Sequence, residues 1–262
     1  MKLLGVRLLL NNRQVEVKNM NPVVANILLA LIIVVFAYLV GGIPNAVIVG
    51  KLFYKKNPLN FGSHNSGGTN AGRVLGAKAG VTVIVLDIIK TAFVFWMCFL
   101  MVFLWPFEDL PLWLSGNVYI WMSLIFASIG HCYSPYLKGK GGKAVACMYG
   151  SVGGTSWVLF PLCFLIFGIV FKLSKKVMSK ASIITGGILI SLEWIIAIIA
   201  FCLGTSFNSS FLTWTFGTVS LPLFGFESAI ATTLVYLVLV LRHRDNIVRL
   251  KKGEERPLKW EK

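Results

Sequence analysis

The sequence predicts an all-α, polytopic membrane protein with about seven transmembrane helices, an external N-terminus and a cytoplasmic C-terminus. The class follows from composition, because 56% of the 262 residues are apolar and only 13% are charged. A soluble globular domain has about 45–50% apolar and about 25% charged residues. The orientation follows from the Lys and Arg residues, which gather in a few segments of the chain and mark cytoplasmic loops.

Six apolar stretches are long enough to be membrane spans, which need about 20 residues each. They are residues 23–40, 81–104, 118–136, 144–171, 181–203 and 221–241. Pro44 follows the first stretch and predicts a bend, because proline lacks a backbone donor. The fourth stretch has basic segments at both ends and is interrupted around Gly153–Ser156. Two short helices meeting there return the chain to the same side, which brings the total to seven spans.

The basic residues divide the predicted loops into two kinds. Four segments hold 21 of the 25 Lys and Arg residues, namely 51–90, 138–143, 172–180 and 242–262. The loops 105–117 and 204–220 contain none. The four basic segments are therefore predicted to be cytoplasmic, although the basic N-terminal residues oppose an external N-terminus. This sidedness accounts for the net charge of +15, so nucleic acid is not predicted as a partner.

The predicted domain organisation has three parts. Residues 1–21 are a basic N-terminal extension, residues 22–241 a single transmembrane domain, and residues 242–262 a basic cytoplasmic tail. The five cysteines lie in or beside apolar runs without CxxC spacing. They are interpreted as small buried apolar residues rather than as ligands of a metal or members of a disulfide framework.

The stretch Phe61–Gly76, FGSHNSGGTNAGRVLG, combines five glycines with short polar side chains. Glycine permits positive φ and close backbone approach, and successive N–H groups form concavities that bind anions. A helix starting near Ala71 adds its positive end, and Arg73 adds a guanidinium that fits phosphate. The stretch therefore predicts a phosphate cradle, with a flexible polar loop between membrane helices as the alternative.

Asp87 and Lys90 lie inside the second apolar stretch, three residues apart and so on one helix face. Charges in a membrane seldom face lipid, so the pair is predicted to point into the helix bundle. A structural ion pair that fixes helix packing is favoured over a direct substrate contact.

Two further polar segments complete the predicted site. One is His131–Lys143, with three lysines, and the other is His243–Arg249, in the tail. Both fall on the face where Phe61–Gly76 is placed, although they are far apart in sequence. They offer cations and glycine amides but no pair of carboxylates suited to metal or to general acid–base work. This arrangement predicts a site for anions, with more than one phosphate, at the membrane surface.

Four segments make the pattern specific: GGIPNAVIVGK, GSHNSGGTNAGRVLG with LDIIK, GHCYSPYLKGKGGKAVA, and RHRDNIVRL-KKGEE. In this order and spacing the chain resembles the bacterial glycerol-3-phosphate acyltransferases of the PlsY type from about Gly41 to Glu255. The sequence departs from the family at four positions. They are His64 for Gly, Gly68 for Ala, Gly139 for Phe and Ala144 for Gly.

The resemblance implies transfer of a fatty acyl group from acyl phosphate to the 1-hydroxyl of glycerol 3-phosphate, the first step of phospholipid synthesis. It also implies seven spans with the N-terminus outside, in the bacterial plasma membrane, and an active site at the cytoplasmic face. The expected partners are the two substrates and membrane lipid, and no cofactor or metal is called for. The oligomeric state stays open and is compatible with a monomer.

The site residues are predicted from these segments together. The predicted catalytic residues are Ser63, Arg73, Lys143, His243 and Asn246. The predicted substrate- and phosphate-binding residues are Gly62, Asn65, Gly67, Gly68, Thr69, Asn70, Lys140 and His131. For His131 a structural hydrogen bond beneath the site is favoured over catalysis. Ser63 as a covalent nucleophile is disfavoured, because no His and carboxylate are spaced to activate it.

Two other functions compete with this interpretation. Seven spans with intramembrane charges also suit an anion transporter, but the cations lie at one surface and the sequence has no inverted repeat. A membrane anchor that only binds anionic lipid needs no Gly-rich segment beside two His-bearing ones.

Overall fold

The computed structural model describes residues 21–105, 116–203, 215–216, 219–220 and 226–260. This part of the chain contains ten α-helices and one small antiparallel hairpin, in which β1 (Thr215–Phe216) pairs with β2 (Val219–Ser220). The predictions for the N-terminal extension and for the loops 105–117 and 204–220 fall wholly or mostly outside the described residues.

The helix bounds follow the apolar stretches closely. The helices are α1 (Pro22–Gly41), α2 (Asn45–Tyr54), α3 (Gly68–Leu75), α4 (Ala77–Phe103), α5 (Gly116–Cys132), α6 (Val145–Thr155), α7 (Leu159–Leu173), α8 (Met178–Cys202), α9 (Phe226–Arg242) and α10 (Arg244–Lys251). Short 3₁₀ turns lie at Pro58–Asn60 and Pro135–Leu137. Pro44 caps the N-terminus of α2, so the expected interruption separates α1 from α2. The fourth apolar stretch is divided into α6 and α7, as its glycines indicate.

Three helical segments are long and apolar enough to cross a membrane: Pro22–Tyr54, Ala77–Phe103 and Met178–Cys202. A fourth is added if α9 and α10, which are bent by 61° at His243, are taken as one span. The lengths and composition of the described helices therefore support a polytopic membrane protein. The count of seven spans and the orientation of the termini stay predictions.

The bundle is held by apolar contacts among its inner helices. The central cluster joins α4, α5, α6 and α9 through fully buried side chains, among them Phe95, Leu124, Met148 and Leu239. A second cluster packs α1 against α4 and α5 through Leu29, Ile33 and Val94, with Tyr119. Many large apolar side chains on the outer faces are exposed, including Leu31, Ile89 and Leu165. An apolar exterior around a packed interior is what a lipid environment stabilises.

The prediction for the cysteines has a mixed outcome. Four of the five cysteines are buried and all five are free, but Cys202 at the end of α8 is exposed. The prediction of a buried position is therefore wrong for Cys202, because the last turn of α8 leaves the bundle. Glu193 is buried in α8, and within the described residues it makes no ion pair with Lys or Arg.

Candidate active site

A cavity of about 380 Å³ opens where α3, α4, α6, α7, α8 and α10 approach one another. Its lining combines polar side chains with large apolar ones, namely Ile84, Ile88, Tyr149, Phe164, Phe167 and Phe171. Eleven of the thirteen predicted site residues line it: Ser63, Asn65, Gly67, Gly68, Thr69, Asn70, Arg73, His131, Lys143, His243 and Asn246. The cavity thus offers both polar groups and apolar surface to a ligand.

A wider groove of about 1760 Å³ adjoins the cavity. The remaining two predicted residues, Gly62 and Lys140, line this groove and not the cavity. Ser63, Arg73 and Lys143 line both spaces. The three polar segments that the sequence predicted to converge therefore meet at one junction between the cavity and the groove.

Asn70 organises the Gly-rich loop. Its amide nitrogen donates to the carbonyl oxygens of Pro58, Phe61 and Asn65 at 2.8, 3.2 and 3.0 Å. Its side-chain oxygen accepts from the backbone N–H of Ser63 at 2.8 Å. The side chain is only 1% exposed, so its hydrogen-bonding capacity is spent on the loop. Asn70 therefore shapes the cradle from beneath, while a direct contact between Asn70 and phosphate stays a prediction.

The same loop offers a mixture of engaged and free groups. The backbone N–H of Gly67 donates to the side-chain oxygen of Asn65 at 2.9 Å, so that amide is occupied in this structure. Gly68 and Thr69 start α3, whose N-terminus faces the cavity. A helix N-terminus with unpaired N–H groups attracts anions. His64 adopts φ +51°, and its Nδ1 lies 2.9 Å from the Leu59 carbonyl oxygen.

A series of side-chain hydrogen bonds joins the polar segment His131–Lys143 to the polar segment His243–Arg249. Lys143 Nζ donates to Asn246 Oδ1, and Asn246 Nδ2 donates to Glu255 Oε1 at 2.6 Å. Glu255 also accepts from Ser179 at 2.8 Å and from Arg249 at 2.6 Å. Asn246 therefore connects a cation and a carboxylate in one line at the junction.

The surroundings of Lys143 and Glu255 shift the pKa values of both side chains. Burial lowers the pKa of Lys143 to about 8; Glu255 opposes the shift, while Arg249, Arg242 and Arg73 add to it. Burial alone raises the pKa of Glu255, but hydrogen bonds from Arg249, Asn246 and Ser179 outweigh it and leave the pKa below its ordinary value. Glu255 is a site residue that the list of predicted positions missed, although KKGEE was part of the matching segments.

His243 lies between α9 and α10 and is 3% exposed. Its Nδ1 lies 2.8 Å from the Leu239 carbonyl oxygen. A carbonyl only accepts, so Nδ1 carries the proton and Nε2 is left for the cavity side. A fixed tautomer of this kind suits a residue that orients a substrate hydroxyl.

His131 is held at the base of the site by the predicted ion pair. Asp87 and Lys90 form it at 2.8 Å, and Lys90 Nζ lies 3.1 Å from His131 Nδ1. Asn45 donates to Asp87 and Lys90 donates to the Ile43 carbonyl, which ties α4 to the start of α2. The structure thus forms the predicted structural pair, and Asp87 also reaches the cavity wall.

Gly142, which precedes Lys143, packs directly against the imidazole of His131. A Cβ built at Gly142 would lie 1.9 Å from Nε2 of His131, so any side chain would displace the imidazole. The Gly142 N–H also donates to the His131 carbonyl at 2.9 Å. The GKGGK segment therefore packs closely against His131. Arg242 also donates hydrogen bonds to the carbonyl oxygens of Gly141 and Gly142.

A family model described as glycerol-3-phosphate acyltransferase matches residues 31–253. The chain belongs to the glycerol-3-phosphate acyltransferase family. It is accordingly an acyltransferase of phospholipid synthesis and an integral membrane protein, which excludes the transporter and anchor alternatives.

Relatives and solved structures agree with the family. Proteins called glycerol-3-phosphate acyltransferase from Staphylococcus aureus strains JH9 and Newman are 34% identical over 247 residues, covering 89% of this chain and 100% of theirs. Two crystal structures of PlsY, an integral membrane glycerol 3-phosphate acyltransferase, have TM-scores of 0.65 and 0.64. The first, with glycerol 3-phosphate, is 27% identical and covers 88% of this chain and 96% of PlsY. The second, with lysophosphatidic acid, is 26% identical and covers 87% and 94%. The resemblance to PlsY-type enzymes is thereby confirmed.

Proposed function

We propose that the protein transfers a fatty acyl group from acyl phosphate to the 1-hydroxyl of glycerol 3-phosphate, releasing 1-acylglycerol 3-phosphate and inorganic phosphate. One observation carries this proposal: an apolar cavity and a cationic groove meet at a junction lined by Arg73 and Lys143. A single-chain lipid with a phosphate head fits the cavity, and a small phosphorylated alcohol fits the groove. The glycerol 3-phosphate and lysophosphatidic acid forms of PlsY match these two substrate classes.

The chemistry needs positioning more than a nucleophile. An acyl phosphate is already activated, because phosphate is a good leaving group. The 1-hydroxyl oxygen attacks the acyl carbon, the bond from that carbon to the phosphate oxygen breaks, and the hydroxyl proton passes to the leaving phosphate. Fixed cations and amide donors stabilise the charge that develops, and confinement at the junction brings the two substrates into reacting geometry.

The residues divide this work between them. Ser63, Asn65 and the backbone at Gly68 hold the phosphate or the developing oxyanion, beside Gly67, whose N–H is engaged by Asn65. Thr69 with Arg73 fixes a phosphate. Lys143 neutralises the leaving phosphate, with Lys140 as a second cation in the groove. His243 and Asn246, on one face at the start of α10, orient glycerol 3-phosphate. His131 supports this floor through Lys90, and Gly62 and Asn70 set the shape of the loop.

The membrane arrangement belongs to the same proposal. Seven spans, an external N-terminus and a cytoplasmic C-terminus place the junction at the inner face of the bacterial plasma membrane. The basic residues on the loops that build the site support this side, and glycerol 3-phosphate is then taken from the cytoplasm. A reporter fused at Met1 and a second fused after Lys262 should report opposite sides. Both reporters on one side would contradict the odd number of spans.

Purified protein in detergent micelles tests the reaction directly. It is given palmitoyl phosphate and radiolabelled glycerol 3-phosphate, and lipid-soluble product and inorganic phosphate are followed together. We expect equimolar lysophosphatidate and phosphate, with no added cofactor. Product formed only from acyl-CoA, or label incorporated without phosphate release, would overturn the acyl phosphate donor.

A further inference from the structure

The C-terminal segment Glu255–Trp260, here called the strap, lines the cavity through Glu255, Arg256, Leu258 and Trp260. Glu255 holds its start to Ser179 and to α10. The backbone N–H of Leu258 donates to the Lys176 carbonyl at 2.8 Å, at the turn before α8. At the far end the indole of Trp260 lies directly on α3. The strap is therefore fixed at three points around the cavity.

Arg256 lies between the first two of these points. Only three cationic side chains of the described residues, other than histidines, line both the cavity and the groove, and they are Arg73, Lys143 and Arg256. The first two are the cations already assigned to phosphate. Arg256 therefore stands at the same junction as the residues proposed to bind the leaving group.

Two other cations of the groove are already engaged. Arg249 is paired with Glu255 at 2.6 Å, and Arg242 donates to two backbone carbonyls and stacks over the Tyr133 ring. Arg256 is exposed and, within the described residues, makes no ion pair or side-chain hydrogen bond. A guanidinium without a protein partner beside an anion site is available for an oxyanion.

We propose that Arg256 is a further phosphate-binding residue, which the strap delivers to the head group of the single-chain lipid at the junction. This inference rests on the proposed function, since the phosphate belongs to acyl phosphate or to lysophosphatidate. The lipid is favoured over glycerol 3-phosphate because Arg256 also borders the apolar cavity, into which only the lipid extends its chain.

Trp260 is the positioning residue for this contact. A Cβ built at Gly72 would lie 2.5 Å from the indole Nε1, so the ring packs directly against the backbone of α3. Gly72 immediately precedes Arg73, so the indole fixes the strap beside one of the two assigned phosphate cations. Without the ring the end of the strap loses its attachment to α3, and Arg256 is no longer held at the junction.

The test compares Arg256→Gln with wild type, using the full-length chain and the assay above. We expect the KM for palmitoyl phosphate to rise about tenfold or more, because a charge-assisted hydrogen bond is lost, while the KM for glycerol 3-phosphate changes less than twofold. Binding of radiolabelled lysophosphatidate, measured without turnover, should weaken by a similar factor. Lys252→Gln, an exposed cation outside both spaces, is the control and should leave all three values unchanged.

The outcomes separate the inference from the proposed function. If the wild-type protein does not use palmitoyl phosphate, the proposed function is wrong, whatever the variants do. If the wild type is active, the inference is wrong when the KM of Arg256→Gln for palmitoyl phosphate lies within twofold of the wild-type value. It is also wrong when Lys252→Gln is impaired as much as Arg256→Gln. Trp260→Ala should raise the same KM, Trp260→Phe should raise it less, and Trp260→Ala should add nothing in the Arg256→Gln background. Additive effects in that double variant would show that Trp260 does not act through Arg256.

Discussion

Lys143 donates a hydrogen bond from Nζ to the side-chain oxygen of Asn246, which joins the basic loop before α6 to the start of α10. The two residues are 103 positions apart in the sequence. Asn246 passes the connection on to Glu255, so the ammonium group is positioned by a carboxylate that it does not touch directly. These two hydrogen bonds therefore fix the position of the Lys143 ammonium group at the junction.

Replacing Lys143 with Ala should lower kcat by about 100-fold or more, as removal of a fixed charge-stabilising group does in other active sites. Arg73→Ala should have an effect of the same order, because both cations line the cavity and the groove. Lys251→Ala is the matched control, since Lys251 is exposed on α10 and lines neither space. Steady-state rates with palmitoyl phosphate measure the effect, and equal losses in all three variants would show that the site is wrongly placed.

The alkaline limb of the pH profile should reflect Lys143. Burial lowers its pKa to about 8, so the cation is lost as the pH rises through that value. Activity requires the charged form, so kcat/KM should fall above about pH 8, roughly tenfold per unit, because this ratio reports the pKa values of the free enzyme. Lys143→Arg keeps its charge to much higher pH and should shift the limb upward in whatever activity remains. A wild-type profile that is flat to pH 10 would contradict a lowered pKa for an essential Lys143, because only a lysine near its ordinary pKa stays charged over that range.

Glu255→Gln should reduce both stability and activity. The carboxylate accepts hydrogen bonds from Asn246, Arg249 and Ser179, and weakening such a charged network costs about 1–3 kcal/mol. The melting temperature should fall, and the KM for glycerol 3-phosphate should rise because Asn246 loses its anchor. Glu254→Gln is the neighbouring control for stability, and it should leave the melting temperature unchanged because Glu254 is exposed and its bond to the Arg249 carbonyl is made by the backbone.

Most of the helices could be predicted from the sequence, because lipid restricts the backbone structures that an apolar stretch can adopt. A stretch such as residues 81–104 is apolar throughout, and only a helix satisfies its backbone in lipid, so α4 differs from the prediction by a few residues. The division of residues 144–171 into α6 and α7 was predictable from charge on both flanks and glycines between. The interruption at Pro44 was predicted, but α2 was not bounded as a helix of its own, because its composition continues that of α1.

The site was predicted as a set of residues but not as a set of roles. Glycines, cations and histidines carry a chemical signature, so 11 of the 13 predicted positions line one cavity. Asn70 resembles a ligand in sequence, but its burial and its four loop contacts give it a structural task. Trp260 and Arg256 had no local signal, because their importance depends on where the tail folds back, which no spacing rule describes.

Asn70→Ala should therefore act through the loop rather than through lost substrate contact. The side chain holds Pro58, Phe61, Ser63 and Asn65 together, and removing it leaves those backbone groups unpaired at about 1–3 kcal/mol for a buried one. We expect faster hydrogen–deuterium exchange across residues 58–67, a lower melting temperature and a fall in kcat of about tenfold or more. Asn60→Ala, on the same loop but without a side-chain hydrogen bond within the described residues, is the control. Unchanged exchange in Asn70→Ala together with a pure rise in KM would assign Asn70 to the substrate instead.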